Sequence, residues 1–206
     1  DRARITVTDE EGDVTELNLQ LNSDGYVEFC NSIDHAGTPD ADEFTWEMEY
    51  DTEGHLVVMK RSESDGEITN ITYKDGDVVK TSTRYVASGD LNGDGIIDSN
   101  DEWEYSAAID YTTDNITAPI ENKGCLMLFD EILDVDMDEM IYAYYGGMLG
   151  KATKHLPLVG HYTYNGEDSV SDMYFTWTLN SDSYPTELVV KDQYSSHWSF
   201  TTSSVG

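Results

Sequence analysis

The fold of this chain is decided by residues 43–61, which read Glu43-Phe-Thr-Trp-Glu-Met-Glu-Tyr-Asp-Thr-Glu-Gly-His-Leu-Val-Val-Met-Lys-Arg61. Phe44, Trp46, Met48 and Tyr50 alternate with threonine and glutamate. Successive side chains of an extended segment point to opposite faces, so this segment has one apolar and one polar face. The turn formers Asp51-Thr-Glu-Gly54 separate it from a second apolar run. The stretch therefore predicts a β-hairpin.

The same period of two recurs along most of the chain. Turn sequences such as Asn22-Ser-Asp-Gly25 and Lys74-Asp-Gly76 separate the alternating segments. This pattern is typical of antiparallel sheet that is packed on one side and solvated on the other. We therefore predict an all-β fold, an antiparallel meander that forms a strongly curved sheet or a partly open barrel. The predicted strands are 4–8, 14–21, 26–30, 43–50, 55–61, 67–73, 77–86, 102–110, 158–164, 171–179, 185–191 and 195–202.

One stretch departs from this period. Apolar residues within 126–149 recur at spacings of three and four, which predicts a short helical interruption near 130–148. The best helical residues are 137–145, and Gly146-Gly147 would end the helix. No low-complexity linker is present, so we predict a single domain, 1–206, in which segment 111–157 is an irregular or helical interruption packed on the sheet.

The charge of the chain excludes several classes of partner. The 206 residues include 42 acidic and 11 basic side chains, a net charge of −31. A field of that sign repels phosphate backbones, so we predict no nucleic-acid partner, and anionic membrane surfaces are disfavoured. No apolar run reaches about 18 residues, so no transmembrane helix is predicted. A halophilic source would also explain the acidity.

The beginning of the sequence and its cysteines bear on location. The sequence starts at Asp1 without methionine or an apolar targeting segment, so we expect that a signal peptide has been removed or trimmed. Cys30 and Cys125 permit one disulfide in an oxidising compartment. Their spacing does not favour pairing, and two buried free thiols are the preferred interpretation.

The most specific motif is a calcium-type loop at 90–101, Asp90-Leu-Asn-Gly-Asp-Gly-Ile-Ile-Asp-Ser-Asn-Asp101. It resembles the EF-hand-type loop, and most of all its dockerin variant, which has Asp at the last position. Calcium prefers hard oxygen ligands, and alternate side chains of such a loop supply them around the sharp turn that Gly95 permits. The predicted calcium ligands are the side chains of Asp90, Asn92, Asp94, Asp98 and Asp101 and the carbonyl of Ile96.

Some details of this site stay open. Asp98 can bind directly or through water, and Asp101 can bind through one oxygen or leave the closing position to Glu102. A solvated acidic turn is the alternative interpretation; it suits Asp134-Val-Asp-Met-Asp138, which lacks a glycine, better than it suits 90–101. Residues 102–110 predict a strand, so the loop would join two strands and serve structure, not signalling.

Several hairpins resemble one family. The segments 49–56, 72–78 and 179–188 resemble the Tyr-Asp/Gly hairpin units of a group of uncharacterised Bacteroidetes envelope lipoproteins, and 145–157 resembles a segment before the last hairpins of that group. The resemblance implies a cleaved lipoprotein leader, export to the periplasm or outer-membrane surface, and a curved antiparallel sheet. It implies no activity. The calcium loop looks like an insertion relative to the family pattern.

No catalytic or cofactor-binding residue is predicted. The histidines His35, His55, His155, His161 and His197 form no zinc spacing, and neither a Gly-x-Ser-x-Gly elbow nor a phosphate loop occurs. The leading hypothesis is a non-catalytic, monomeric envelope lipoprotein domain with one structural calcium ion, whose partner is a glycan or another envelope protein. One alternative is a glycan-binding module with a row of exposed aromatics. Another is a glycosidase-like enzyme with two carboxylates about 5–10 Å apart.

Overall fold

A computed structural model describes residues 1–62, 66–86, 89–98, 100–124, 128–130, 132–164 and 171–192, and the backbone of 197–201. Its contacts divide the chain into two compact units. Unit 1 consists of Asp1–Ile71, Thr83–Trp103 and Asp136–Lys151, and unit 2 consists of Thr72–Ser82, Glu104–Val135 and Ala152–Gly206. The single domain inferred from the sequence stays a prediction.

The described residues form twelve β-strands, and each strand pairs with its neighbours in chain order. The predicted bounds of the second, seventh, eighth and tenth strands agree with the structure to the residue. The all-β antiparallel meander is therefore confirmed. The strands are β1 (Arg2–Thr8), β2 (Val14–Leu21), β3 (Val27–Asp34), β4 (Asp42–Tyr50), β5 (Leu56–Arg61), β6 (Glu67–Lys74), β7 (Asp77–Val86), β8 (Glu102–Asp110), β9 (Val159–Tyr164), β10 (Ser171–Leu179), β11 (Pro185–Asp192) and β12 (His197–Thr201).

Hairpin turns in both units are supported by the same pattern of side-chain-to-backbone hydrogen bonds. Asn22, Asp51 and Asn180 each accept backbone N–H bonds from the second and fourth residues that follow them. The turn after Asp51 contains Gly54 at φ 88°, whereas the turn after Asn180 places Ser183 at φ 67°. The side-chain oxygen supports the reversal in each case, so the turn forms even where glycine is absent.

The core face of unit 1 contains one row of paired residues across five strands. Leu19 pairs with Cys30, Cys30 with Trp46, Trp46 with Arg61, and Arg61 with Glu67. Directly paired residues of an antiparallel sheet lie on the same face. All five are buried. The row therefore places two charged side chains beside an apolar core.

The predicted helical segment is present in unit 1. A 3₁₀ turn at Asp138–Met140 continues into helix α1 (Ile141–Tyr145), which ends at Gly146. Met137, Met140, Ala143 and Leu149 of this segment are buried. Its backbone also joins the strands, since Met148 O accepts from Val27 N at 2.8 Å and Lys151 N donates to Gly54 O at 2.9 Å.

In unit 2, irregular segments pack on the strands through buried hydroxyl groups. The Tyr111 hydroxyl donates to Val78 O at 2.8 Å, and the Tyr162 hydroxyl donates to Ile132 O at 2.6 Å. Thr81 Oγ1 donates to Leu133 O at 2.6 Å. The bonds to Ile132 O and Leu133 O satisfy carbonyls outside the strands, so irregular backbone can be buried. No helix in the described part of the chain is long and apolar enough to cross a membrane.

Candidate functional site

The calcium-type loop connects β7 to β8 within unit 1. The apolar side chains of Leu91, Ile96 and Ile97 are 47%, 61% and 56% exposed, so the loop projects into solvent and does not pack as core. The strand β8 begins at Glu102, directly after the loop, where an EF-hand would have a helix. The prediction that the loop joins two strands is confirmed.

The side chains of the predicted ligands accept hydrogen bonds from backbone N–H groups of the loop and so hold it in a tight coil. Asp90 Oδ1 accepts from Gly93 N at 2.6 Å, and Asp90 Oδ2 accepts from Gly95 N at 2.7 Å. Asp94 Oδ1 accepts from Ile96 N at 2.8 Å. Gly95 has φ 85°, which a residue with a Cβ rarely adopts. Asp90 Oδ2 and Asp94 Oδ1 each retain a lone pair beyond these bonds.

Asp101 closes the loop from its far end. Its side chain is buried; Oδ1 accepts from Leu91 N at 2.7 Å and Asn92 N at 3.1 Å, and Oδ2 accepts from Asp98 N at 3.0 Å. The hydrogen bond from Asp98 N is the largest cause that lowers the pKa of Asp101 below its ordinary value. The carboxylate therefore stays ionised and ties the two ends of the loop together.

The donor set of the loop fits calcium better than it fits a softer metal. The predicted ligands are all oxygens, and no ion pair among the described residues uses a carboxylate of the loop. The carboxylates are therefore not neutralised by a basic side chain. In the described part of the chain, however, no three His, Cys, Asp or Glu side chains converge as a metal cluster, and Ser99 lies outside that part. The calcium site stays a prediction.

A second acidic run, at Asp136 and Asp138, has a buried cationic partner. The side chain of Arg61 is 7% exposed; its NH2 donates to Asp138 Oδ2 at 2.6 Å, and its NH1 lies 3.6 Å from Asp136 Oδ2. The guanidinium also lies 5.0 Å from the ring centroid of Phe44 and 4.7 Å from that of Trp46. Arg61 therefore docks the 3₁₀ turn onto the sheet by charge and by cation–π contact.

Glu139 makes the adjacent contact. Its side chain is buried, and its Oε1 accepts from Trp46 Nε1 at 2.7 Å. Burial raises the pKa of Glu139, and the hydrogen bond from Trp46 opposes that rise. Burial, and then the nearby Glu139 charge, also raises the pKa of the Cys30 thiol to about 12. Cys125 lies outside the described residues, so the disulfide stays untested.

Sequence reasoning missed this second cluster. It interpreted the run from Asp134 to Asp138 as solvated, because neither neighbouring sequence nor spacing shows a partner. One signal was available in the sequence. Arg61 lies two residues after Met59 on the same strand, so the alternating pattern places the side chain of Arg61 on the buried face.

The described histidines lie within hydrogen-bonding or ion-pair distance of aspartates in turns and strands. In unit 2, His161 Nδ1 lies 2.8 Å from Asp172 Oδ1 and its Nε2 lies 3.2 Å from Asp110 Oδ2. The bond with Asp172 is the largest cause that raises the pKa of His161. His55 and His155 have similar partners in Asp51 and Asp77. The side chain of His197 lies outside the described residues.

Burial raises the pKa of two carboxyl groups that could serve as acids, those of Glu139 in unit 1 and Asp134 in unit 2. A raised pKa suits a general acid, but glycoside hydrolysis also needs a second, available carboxylate. The carboxylates beside Glu139 in its own chain segment, Asp136 and Asp138, are paired with Arg61. The glycosidase alternative gains no support from this geometry and stays a prediction.

The aromatic side chains divide by exposure. Trp46 is fully buried, whereas Trp103 and Trp177 are half-buried. The side chain of Trp198 lies outside the described residues. Exposed tyrosines occur in both units: Tyr142, Tyr145, Tyr164, Tyr174 and Tyr184.

Comparison with known proteins gives the family. A crystal structure described as a porin-like protein from Bacteroides vulgatus matches with TM-score 0.62 at 18% identity, over 94% of this chain and 82% of that chain. A second porin-like protein, from Bacteroides uniformis, matches with TM-score 0.31 at 15% identity, over 96% and 92% of the two chains; that score supports no argument. No curated protein matches the chain.

The first of these similarities concerns the fold alone, because the identity is low. The resemblance to a Bacteroidetes family is confirmed in part, since the lipoprotein leader and the calcium loop are not tested. A family model described as a domain of unknown function (DUF4595) with porin-like fold matches residues 1–187. The chain therefore belongs to the DUF4595 family of domains with a porin-like fold.

Proposed function

We propose that this chain is a non-catalytic domain of an exported envelope lipoprotein whose loop 90–101 binds one calcium ion. Membership in a porin-like family and the fold it shares with a Bacteroides protein support the envelope location. The net charge of −31 makes nucleic acid an unsuitable partner. His35, His55, His155 and His161 each lie beside an aspartate, which supports a structural role.

The observation that carries the calcium proposal is the arrangement of loop carboxylates around their own N–H groups. Asp90, Asn92 and Asp94 alternate along the loop and orient their oxygens through short backbone bonds. Because like charges in one small loop repel one another, a divalent cation lowers the free energy of the folded loop.

The ion would act on the connection between β7 and β8. Asp90 stands near one end of the loop, and Asp101 stands one residue before β8. An ion held by both ends fixes the distance between the strands and so favours their pairing. For a Kd of about 10 µM and about 1 mM calcium, linkage stabilises the folded state by about 2.7 kcal/mol.

The test compares two aspartates that support exposed turns. Asp94→Ala removes a predicted ligand, whereas Asp9→Ala removes a side chain that accepts three backbone N–H bonds in the turn after β1. We expect calcium to raise the Tm of the parent chain and of Asp9→Ala, and to leave the Tm of Asp94→Ala unchanged. A parent Tm that is the same in calcium and in excess chelator would refute the calcium site.

The envelope location has its own test. Cells that make the full-length native protein are fractionated and labelled with an alkyne fatty acid. We expect the protein in the envelope fraction with covalent lipid. Recovery in the cytosol would refute the location, and an unlabelled envelope protein would refute the lipoprotein assignment alone.

A further inference from the structure

One face of β1–β3, opposite the core, contains a grid of polar side chains. Strand pairing places Arg2 opposite Gln20 and Gln20 opposite Phe29; it also places Arg4 opposite Asn18 and Asn18 opposite Asn31. The residues between them on β2 and β3 point the other way and form the buried core. Six side chains form this polar grid and line a cavity of about 490 Å³: Arg2, Arg4, Asn18, Gln20, Phe29 and Asn31.

The composition of the polar grid is opposite to that of the chain. Acidic side chains number 42 of 206 residues, yet the grid contains none; two of the 11 basic side chains of the chain lie in it. The remaining members are three side-chain amides and one aromatic ring. Guanidinium and amide groups form planar, two-point hydrogen bonds, so the grid offers several donors and acceptors on one surface.

Three carboxylates border the polar grid: Glu16 and Glu28 orient two of its members, and Glu47, which is paired with Phe29 across β3 and β4, lies 3.9 Å from Lys60 Nζ. Arg4 pairs with Glu16, and Gln20 Nε2 donates to Glu28 Oε1 at 2.5 Å. Arg2 makes no ion pair among the described residues, and its side chain is exposed. The grid therefore combines hydrogen-bonding groups held in place by their neighbours with one guanidinium that is available to an anion.

We propose that the polar grid binds a short saccharide that contains a carboxylate. The carboxylate pairs with the guanidinium of Arg2 in the two-point geometry that arginine favours. The sugar hydroxyls exchange hydrogen bonds with the amides of Asn18, Gln20 and Asn31, and the ring of Phe29 packs against the apolar face of the sugar. A cavity of this volume is in the range of small-ligand sites.

The length of the ligand follows from the charge of the protein. A net charge of −31 repels anions wherever they extend beyond the grid, within a Debye length of about 8 Å at physiological salt. A long polyanion would place its further carboxylates against this field. A short oligosaccharide with one carboxylate at the grid avoids most of that repulsion.

The test measures binding of two acidic probes and one neutral probe by calorimetry. The acidic probes are 3′-sialyllactose and glucuronosyl xylotriose, each with one carboxylate, and the neutral probe is galactotriose. We expect at least one acidic probe to bind with a Kd below about 1 mM. We expect Arg2→Gln to weaken that binding about tenfold or more.

The matched control is Arg84→Gln. Arg84 lies on β7 of the same unit, is exposed and pairs with Glu102, outside the polar grid. We expect this variant to bind the acidic probe as the parent does. The proposal is refuted if neither acidic probe binds at about 5 mM, if Arg2→Gln binds as well as the parent, or if galactotriose binds as tightly as the acidic probes. None of these outcomes depends on the calcium site.

Discussion

Two aspartate runs of unit 1 look alike in sequence but are stabilised in different ways. In loop 90–101, each carboxylate accepts hydrogen bonds from backbone N–H groups of the same loop. Asp136 and Asp138 instead meet the guanidinium of Arg61, which comes from a strand about 75 residues earlier in the chain. The first run lies in solvent, and the second docks a 3₁₀ turn on the core.

This difference separates what local sequence decides from what tertiary packing decides. Glycine positions and side-chain spacing are enough to define the first run, because its partners lie within the same loop. The second run depends on Arg61, which pairs with Trp46 across β4 and β5 on the core face of the sheet. Its guanidinium lies where the 3₁₀ turn packs on the sheet. Changes at Arg61 should therefore strongly affect global stability, and changes in the loop should have a smaller effect in calcium-free buffer.

Arg61→Ala should have the largest effect. The substitution leaves Asp138 without its buried cation and removes the contacts with Phe44 and Trp46. We expect a loss of about 3–5 kcal/mol of unfolding free energy, measured by chemical denaturation, because a hydrogen bond to a charged group contributes about 1.5–3 kcal/mol and a desolvated cation–π contact about 2 kcal/mol. Lys60→Ala is the control, since Lys60 is the neighbouring residue on the solvent face and its side chain is 43% exposed.

The control substitution should cost about 0–1 kcal/mol, as for exposed ion pairs. Similar losses for Arg61→Ala and Lys60→Ala would show that the buried pair does not dock the 3₁₀ turn.

The strands could be read from the sequence because period two is a local signal. Alternation in 77–86 and 102–110 gave both bounds of β7 and β8 without knowledge of their partners. The contact between Trp46 and Glu139 joins residues 93 positions apart, and no spacing rule relates them. The loop residues were predictable from their order alone, whereas the docking contacts required knowledge of which strand face meets the 3₁₀ turn.

Substitution of two glycines with positive φ compares the exposed loop 90–101 with the docked segment 136–151. Gly95 has φ 85° and no heavy atom within 4 Å of a built Cβ, whereas Gly150 has φ 77° and a Cβ there would lie 2.5 Å from Gly54 O. Alanine at Gly95 costs only the free energy of the left-handed backbone conformation, about 1–2 kcal/mol. Alanine at Gly150 adds steric overlap of about 1–3 kcal/mol.

We therefore expect Gly150→Ala to destabilise the chain by about 3 kcal/mol and Gly95→Ala by about half as much, in calcium-free buffer. Thermal denaturation measures both. Equal losses would mean that segment 136–151 adjusts its position as freely as the exposed loop does, and that it is not docked against Gly54.

Glu139→Gln should give the smallest effect, and one that depends on pH. Burial raises the pKa of Glu139, so its contribution to stability is fully present below the ordinary glutamate pKa of about 4.3. That contribution is lost as pH rises through the raised pKa, because the folded state must then hold an ionised carboxyl away from water. Glutamine keeps an oxygen acceptor for Trp46 Nε1 and stays neutral.

The variant should therefore gain stability relative to the parent as pH rises from about 4 to 7, measured as the difference between their unfolding free energies. Other titrating groups are common to both chains and cancel in that difference. A difference that stays constant over this range would show that the Glu139 carboxyl titrates alike in the folded and unfolded states. Burial beside Trp46 would then cost the ionised form nothing, and Arg61 would be the charged group that docks the 3₁₀ turn.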